Sequence, residues 1–238
     1  MAELLLELYS EEIPPQLQID ARNQLKFLIE TSFKEKGIKY KDVEVYSSPT
    51  RLTLICKDIP KEIKTASKEI RGPKVGSAND ILEGFATAKN VTKEDLIEKE
   101  TDKGKFYFIK TSSKNLLIEE LLKDILPKIL ATISWKKSMK WSDYNLMWGR
   151  PLRSILAIFN SKKLNFTFDH LGTTDNMIID QNLLTKSIKI KNAKDYNAVL
   201  KSHKIIIDHD ERERLIIKKT NSICKSKDYK NTLNPQLL

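Results

Sequence analysis

The densest chemistry in the chain lies between residues 135 and 153. Lys136-Lys137-Ser138-Met139-Lys140-Trp141 sets three ammonium groups beside Trp135 and Trp141, and Trp148, Arg150 and Arg153 follow closely. Basic groups interleaved with aromatics suit a phosphate backbone carrying exposed bases or ribose. The same residues also fit a plainer reading: tryptophans are usually core, and lysines beside them lie along the surface with their heads in water. A second basic stretch, Arg212, Arg214, Lys218 and Lys219, falls on one helix, where a charge run is ordinarily a solvated face.

Catalytic chemistry is harder to find. Glu11-Glu12 is a carboxylate pair in a turn, which would suit acid-base work. Adjacent residues rarely face one site, however, and no histidine or lysine partner is implied nearby. A turn-stabilising or interface role fits the pair better. His170, His203 and His209 form no metal pattern with Cys56 or Cys224, and the two cysteines form no CxxC pair. They read as structural thiols of a reducing compartment. There is no GxxxxGK(S/T), GxSxG or HExxH, and seven glycines in all leave little room for a glycine-rich phosphate loop. These absences point to binding rather than covalent chemistry, with no cofactor or metal site in the chain itself.

Composition agrees with a globular chain. Apolar residues make up 40% of the 238 and charged residues 31%. No stretch approaches the ~18 consecutive apolar residues of a membrane span. The opening MAELLLELYSEEIPP is acidic and lacks a basic n-region, so it does not read as a signal peptide. The net charge of +10 raises nucleic acid as a partner. Lysine supplies 35 of the 42 basic residues, which bulk lysine in an AT-rich genome would also produce. The seven arginines, at 22, 51, 71, 150, 153, 212 and 214, carry more information. Their planar forked donors match carboxylate or phosphate in a way that an ammonium does not.

These residues need elements to hold them. ELLLELY reads as a short buried strand stopped by Pro14 and Pro15, and Leu17, Ala21, Leu25, Leu28 and Phe33 mark an amphipathic helix ending at Gly37. Val43–Ser47 and Leu52–Lys57 read as a hairpin around Ser48-Pro49-Thr50. From Gly72-Pro73 to about Lys114 the texture changes. One short helix is expected around Ala78, Ile81, Leu82 and Phe85, a second from Thr92, then a turn at Asp102-Lys103-Gly104 and a strand Lys105–Thr111. Asn115–Ile133 is expected as one long helix with Leu116, Leu117, Leu121, Ile125, Ile129 and Ile133 inward, kinked at Pro127. Leu152–Phe159 with Leu164–Phe168, then Ser187–Lys191 and Lys204–Ile207, are expected strands. Helices are expected at Asp195–Ser202 and, opened by a capping box at Asp208 and Glu211, at Asp210–Cys224. The class is α+β, with mixed or antiparallel sheets, packed helices and a small inserted subdomain. Residues 1–72 and 115–180 form the expected core, 73–114 the inserted subdomain, and 181–238 an extension ending in the basic helix. No structure is expected for Asn231–Leu238.

Several short stretches, in order, resemble the β subunit of the bacterial two-subunit glycyl-tRNA synthetase. LLLELYSEEIPP is similar to that family's E-I-G-x-E-E-I/L-P-P start, matching at Glu7, Glu11, Glu12, Pro14 and Pro15. Ser48-Pro49-Thr50-Arg51-Leu52 resembles T/A-P-R-R-L, Arg71-Gly72-Pro73 resembles R-G-P, and Gly84-Phe85-Ala86 resembles G-F-A. Thr101-Asp102-Lys103-Gly104 resembles a T-x-K-G turn, Met139-Lys140-Trp141 resembles M-R-W, and Arg150-Pro151-Leu152 resembles F-x-R-P-V/L/I. Lys204–Asp208 with Glu211-Arg212 is similar to K-V-I-x-D-x-x-E-R. Each piece alone is weak, but eight in the right order are specific.

The resemblance implies a cytoplasmic complex of two α and two β subunits that charges tRNA(Gly) with glycine. The α subunit would carry the class II core that binds ATP, magnesium and glycine, and the β subunit would contribute tRNA recognition. Arg71 and the Gly72-Pro73 turn are expected to be structural. The family's G-H-R-F is replaced here by Ile179-Asp180-Gln181-Asn182-Leu183, which alters any contact those residues make. The family also continues well beyond the position of Leu238, so the chain reads as truncated relative to it. A stand-alone RNA-binding module and a non-functional remnant are the competing readings. A metabolic enzyme using Glu11 or Glu12 as its acid is the third.

Overall fold

A computed structural model of the chain describes all residues except 65–68, 90, 91, 93–95, 103, 111–114, 182, 183 and 233–238. It divides into two compact units, Met1–Lys61 with Ile118–Leu238, and Glu62–Leu117. The chain opens with strand β1 (Ala2–Ser10), helix α1 (Pro15–Lys36), and the hairpin β2 (Asp42–Ser48) and β3 (Arg51–Ile59). The smaller unit follows with β4 (Glu62–Lys64), β5 (Glu69–Lys74), α2 (Asn79–Lys89), β6 (Leu96–Thr101), β7 (Gly104–Lys110) and β8 (Asn115–Leu117). The larger unit then resumes with α3 (Ile118–Thr132), β9 (Leu152–Phe159), β10 (Lys162–Lys163), β11 (Thr167–Phe168), β12 (Leu171–Thr174), β13 (Asn176–Gln181), β14 (Leu184–Lys189), α4 (Ala193–Ser202) and α5 (His209–Ser226). Among the described residues no helix is long and apolar enough to cross a membrane.

The larger unit is built on a mixed sheet of order β11-β12-β9-β1-β3-β2, with β10 beside β9. All pairings are antiparallel except β12 with β9. β1 lies between β3 and β9, so both of its edges are paired, and its side chains are buried on both faces, which is why it reads as a nearly unbroken apolar run. Side chains alternate along it. Leu5 packs with Ile55, Leu156, Ile158, Met177, Ile179, Tyr196 and Leu200 in one cluster, and Leu4, Leu6 and Leu8 serve the opposite face. Pro15 stands in the first turn of α1, and Gly37, at φ 68, closes the helix. The face of α1 that is buried runs through Leu17, Ala21, Leu25, Ile29 and Phe33; Leu28, expected inward, is only half-buried.

Several expectations change. The helix expected from Asn115 begins at Ile118, because Asn115–Leu117 pair in extended form with Glu62–Lys64 and leave Leu116 and Leu117 exposed. That pairing also carries the smaller unit past the expected limits of 73 and 114 on both sides. The start of the second helix expected from Thr92 lies largely outside the described residues, and Leu96–Thr101, which would have been its body, pairs antiparallel with β7. Lys204–Ile207 is not a strand: Ile205 N–H bonds back to Leu200 O at 2.9 Å, which turns the chain off α4, and Ile207 is buried in the cluster containing Leu5. The expected boundary at 181 runs through β13, whose Met177 and Ile179 share that core with Tyr196 and Leu200 of α4.

The smaller unit is a β5-β7-β6 sheet with α2, plus the β4–β8 pair. Arg71-Gly72-Pro73 lies within β5 rather than in a turn, at a shift in register against β7. The Arg71 guanidinium sits 3.6 Å from the Phe106 ring centroid. A Cβ on Gly72 would stand 2.5 Å from the Phe85 ring, so the glycine is what lets α2 approach the strand.

Candidate nucleic-acid interface

The strand β1 carries an acid, Glu7, where both faces are buried. Such a carboxylate needs a charged partner and further hydrogen bonds. Arg51, on the neighbouring strand β3, donates from Nη1 to Glu7 Oε2 at 2.6 Å, and both side chains are almost fully buried. The Tyr196 hydroxyl of α4 donates to the same oxygen at 2.5 Å. Its one proton being used there, the Thr53 hydroxyl at 2.8 Å donates to it in turn. Arg51 also donates from Nη2 to the carbonyl of Ile178 in β13. Burial works against the Arg51 charge, but Glu7 beside it holds the guanidinium pKa above its ordinary value. Burial and then the Glu7 charge raise the Tyr196 hydroxyl well above the ordinary phenol range. This network ties β1, β3, β13 and α4 together, and every member has a partner.

Beyond it, toward solvent, Tyr9 donates to Asp180 Oδ2 at 2.5 Å, Arg153 donates to the same oxygen at 2.9 Å, and Thr185 donates to Oδ1 at 2.5 Å. The Thr185 and Tyr9 hydrogen bonds hold the Asp180 carboxyl below the usual carboxylate range. Burial, reinforced by Asp180, pushes the Tyr9 phenol up to about 12, so it stays a neutral donor. Tyr9, Arg153 and Asp180 line an open cleft of about 450 Å³ together with Glu11, Glu12, Ser48-Pro49-Thr50, Ile205 and Arg212. Three separated motifs interlock at its rim through the backbone: Ser10 N–H bonds Thr50 O at 2.9 Å, Glu11 N–H bonds Pro151 O at 3.0 Å, and Ile13 N–H bonds Pro49 O at 2.6 Å. Pro14 and Pro15 turn the chain out of this lock into α1. Glu11 and Glu12 remain exposed, Glu11 with Arg153 Nη1 3.5 Å away. Among the described residues no group of three or more His, Cys, Asp or Glu is placed to hold a metal ion.

The basic-aromatic segment forms a loop pinned at its base. Gln24 of α1 makes two bonds to Ser134: its Nε2 donates to the Ser134 carbonyl at 2.8 Å, and its Oε1 accepts from the Ser134 N–H at 2.9 Å. Met139 and Trp148 exchange backbone bonds of 2.9 and 3.2 Å. Trp148 is buried between Trp135, at 4.9 Å between ring centroids, and Phe168, at 5.8 Å. A Cβ on Gly149 would lie 2.3 Å from the Trp135 ring, so the glycine permits that packing. Trp135 and Trp148 are thus structural, whereas Trp141 stands exposed. Lys136 pairs with Asp20 of α1 at 2.9 Å. Lys137 and Lys140 are exposed, with no ion pair to any described residue. Arg150 is half-buried and bonds the carbonyl of Gly149 at 2.9 Å, and Pro151 is buried.

The last helix is capped as expected: Asp208 Oδ1 accepts from the N–H groups of Asp210 and Glu211 at 2.9 and 3.1 Å. Its arginines differ from one another. Arg212 Nη1 lies within 3.2 Å of the carbonyls of Ser47, Ile206 and Ile207, docking the helix start onto β2. Arg214 bonds its own helix at Asp210 O and, like Lys218 and Lys219, faces solvent. The structure therefore gathers Arg51, Arg153 and Arg212 around the cleft and leaves Lys137, Lys140 and Trp141 on a separate exposed loop. Sequence reasoning missed Tyr9, Tyr196 and Asp180. A usable signal existed only for Glu7: an acid inside a run as apolar as LLLELY must find a buried cation.

The comparisons with known proteins agree with this reading of the motifs. The family model described as "Glycyl-tRNA synthetase beta subunit" matches residues 4–238. The chain is 36% identical over 217 residues to the glycine--tRNA ligase beta subunit of Rickettsia akari (strain Hartford), covering 91% of this chain and 32% of that protein. It is 34% identical over 238 residues to that of Rickettsia bellii (strain OSU 85-389), covering 100% of this chain and 36% of that protein. The chain thus spans about a third of the length of the curated relatives it matches. With the match running from the fourth residue to the last, the chain belongs to the glycyl-tRNA synthetase beta subunit family.

Proposed function

We propose that this chain serves the glycylation of tRNA as a non-catalytic part of the β subunit, binding tRNA(Gly) and associating with the α subunit. ATP, magnesium and glycine belong to the α subunit in this reading, within a cytoplasmic assembly of two α and two β subunits. The observation that carries the RNA part is the pinned loop on which Lys137, Lys140 and Trp141 stand exposed and unpaired. A charge already paired inside the protein is not free to neutralise a phosphate and release its counterions, whereas these two lysines are. Binding of tRNA(Gly) to the purified chain, titrated across salt, tests this. Lys137→Ala with Lys140→Ala should flatten the slope of log affinity against log salt by about two units if both reach duplex phosphates. An unchanged slope removes the loop from the RNA interface. Capture of the α subunit by the chain tests the second part, since a stand-alone RNA-binding module would ignore it.

A further inference from the structure

Folding does not account for all the apolar surface of the 135–150 loop. Its base is closed by Trp135, Trp148 and the Met139–Trp148 bridge, yet Met139 is 40% exposed, Trp141 55%, Tyr144 42% and Met147 48%. Large apolar side chains gathered on one exposed stretch mark a binding surface. Two of them are aromatic, and one is already held flat. The Tyr144 ring lies on the His170 imidazole with centroids 3.5 Å apart and planes within 4°. His170 in turn is fixed by Asp169, Nδ1 to Oδ2 at 2.7 Å. The result is a stacked two-ring slab, its Tyr144 in the same loop as the exposed indole of Trp141.

The charge around these rings selects the class of partner. Lys136, Lys137, Lys140 and Arg150 are set against one acid, Asp143, within the loop. Protein interfaces are poor in lysine at their centres, whereas a polyanion draws it. A duplex offers phosphates, but its bases are stacked on each other and cannot reach an aromatic plane. Unpaired nucleotides offer both phosphate and base face. We infer that the loop, with His170, is a stacking platform for unpaired nucleotides of the bound tRNA: Trp141 and the Tyr144–His170 slab take base faces while Lys137 and Lys140 take the adjoining phosphates. This deepens the tRNA-binding reading above and rests on it.

The test compares a short single-stranded RNA, a blunt-ended RNA duplex and tRNA(Gly), each bound to the full chain and to Trp141→Ala. An exposed indole can be removed without unfolding the chain, which thermal unfolding checks. Stacking is lost with the ring, so Trp141→Ala should weaken the single strand by about five- to a hundredfold. Its salt slope should be unchanged, and duplex binding should barely move. Trp141→Phe keeps a plane, so it should retain most of the affinity while abolishing the quenching of tryptophan emission that the single strand causes. Lys137→Ala with Lys140→Ala should flatten the single-strand salt slope by about 1.4 units. Equal effects of Trp141→Ala on single strand and duplex, or no effect on either, with tRNA(Gly) still bound, would overturn the platform and leave tRNA binding standing. Failure of every RNA to bind, with α-subunit capture lost in Trp141→Ala, would make the loop a protein interface and overturn both.

Discussion

The cluster around Glu7 and the loop around Trp141 use the same residue types to opposite ends. Each joins cations to aromatic rings. At Glu7 the guanidinium of Arg51 is buried against the carboxylate, lies 4.7 Å from the Tyr9 ring centroid, and finds its remaining acceptor in the Ile178 carbonyl. Both of its terminal nitrogens are thus engaged inside the protein. On the loop, Lys137 and Lys140 are in water and the indole of Trp141 faces outward. A charge held inside a protein costs desolvation and returns geometry, here the junction of β1, β3, β13 and α4. A charge kept outside costs little and remains available to a partner. The cleft at Tyr9, Arg153 and Asp180 lies between the two cases, with paired groups at an accessible surface.

The largest effect should come from breaking the buried side of that contrast. Arg51→Met leaves Glu7 charged without its partner and should lower stability by about 3–5 kcal/mol in urea unfolding. Replacing Glu7 and Arg51 together by apolar residues should cost much less. If the single and double changes are equal, the pair is not the tie described here. Next is packing at the root of the exposed side: Gly149→Ala drives a methyl into the Trp135 ring and should cost about 1–3 kcal/mol by the same measurement.

A smaller effect is expected at the cleft. The carboxyl of Asp180 is depressed in the folded chain by Thr185, Tyr9 and Arg153. It therefore adds stability above the unfolded aspartate value of about 3.9 and loses it as pH falls through the lower folded value. Asp180→Asn should flatten that part of the acid unfolding curve by less than about 1 kcal/mol, as for other accessible ion pairs. An unaltered curve would mean these bonds exist without net worth. The smallest effect is at the loop itself. Lys137→Ala with Lys140→Ala should leave urea stability within about 0.5 kcal/mol of the parent chain. A larger loss would show that these lysines are structural after all.

Local signals set much of this molecule. The apolar run of β1, the prolines that end it, the spacing along α1 with Gly37 behind it, and the turn Ser48-Pro49-Thr50 are properties of neighbouring residues and were legible as such. The capping side chain of Asp208 was legible for the same reason. Pairing between distant segments was not. Asn115–Leu117 has the composition of a helix start, and only its pairing with Glu62–Lys64 makes it a strand. Leu96–Thr101 is a strand because β7 lies beside it.

The same division governs the candidate interface. Residue types alone marked the basic-aromatic segment and indicated that arginines were needed as arginines. They did not say that Arg51 and Arg212 would turn inward, to a carboxylate and to three carbonyls, while Lys137 and Lys140 stayed in water. They also could not separate Trp135 and Trp148 from Trp141, because all three sit in one short stretch with similar neighbours. What separates them is the way the loop closes on itself through the bridge of Met139 with Trp148, and the Phe168 ring behind it, contributed from outside the stretch. Side-chain chemistry is local and is written in the sequence. Whether that chemistry is satisfied internally or left open to a partner depends on which distant groups the fold brings within hydrogen-bonding reach, and that only the tertiary structure decided.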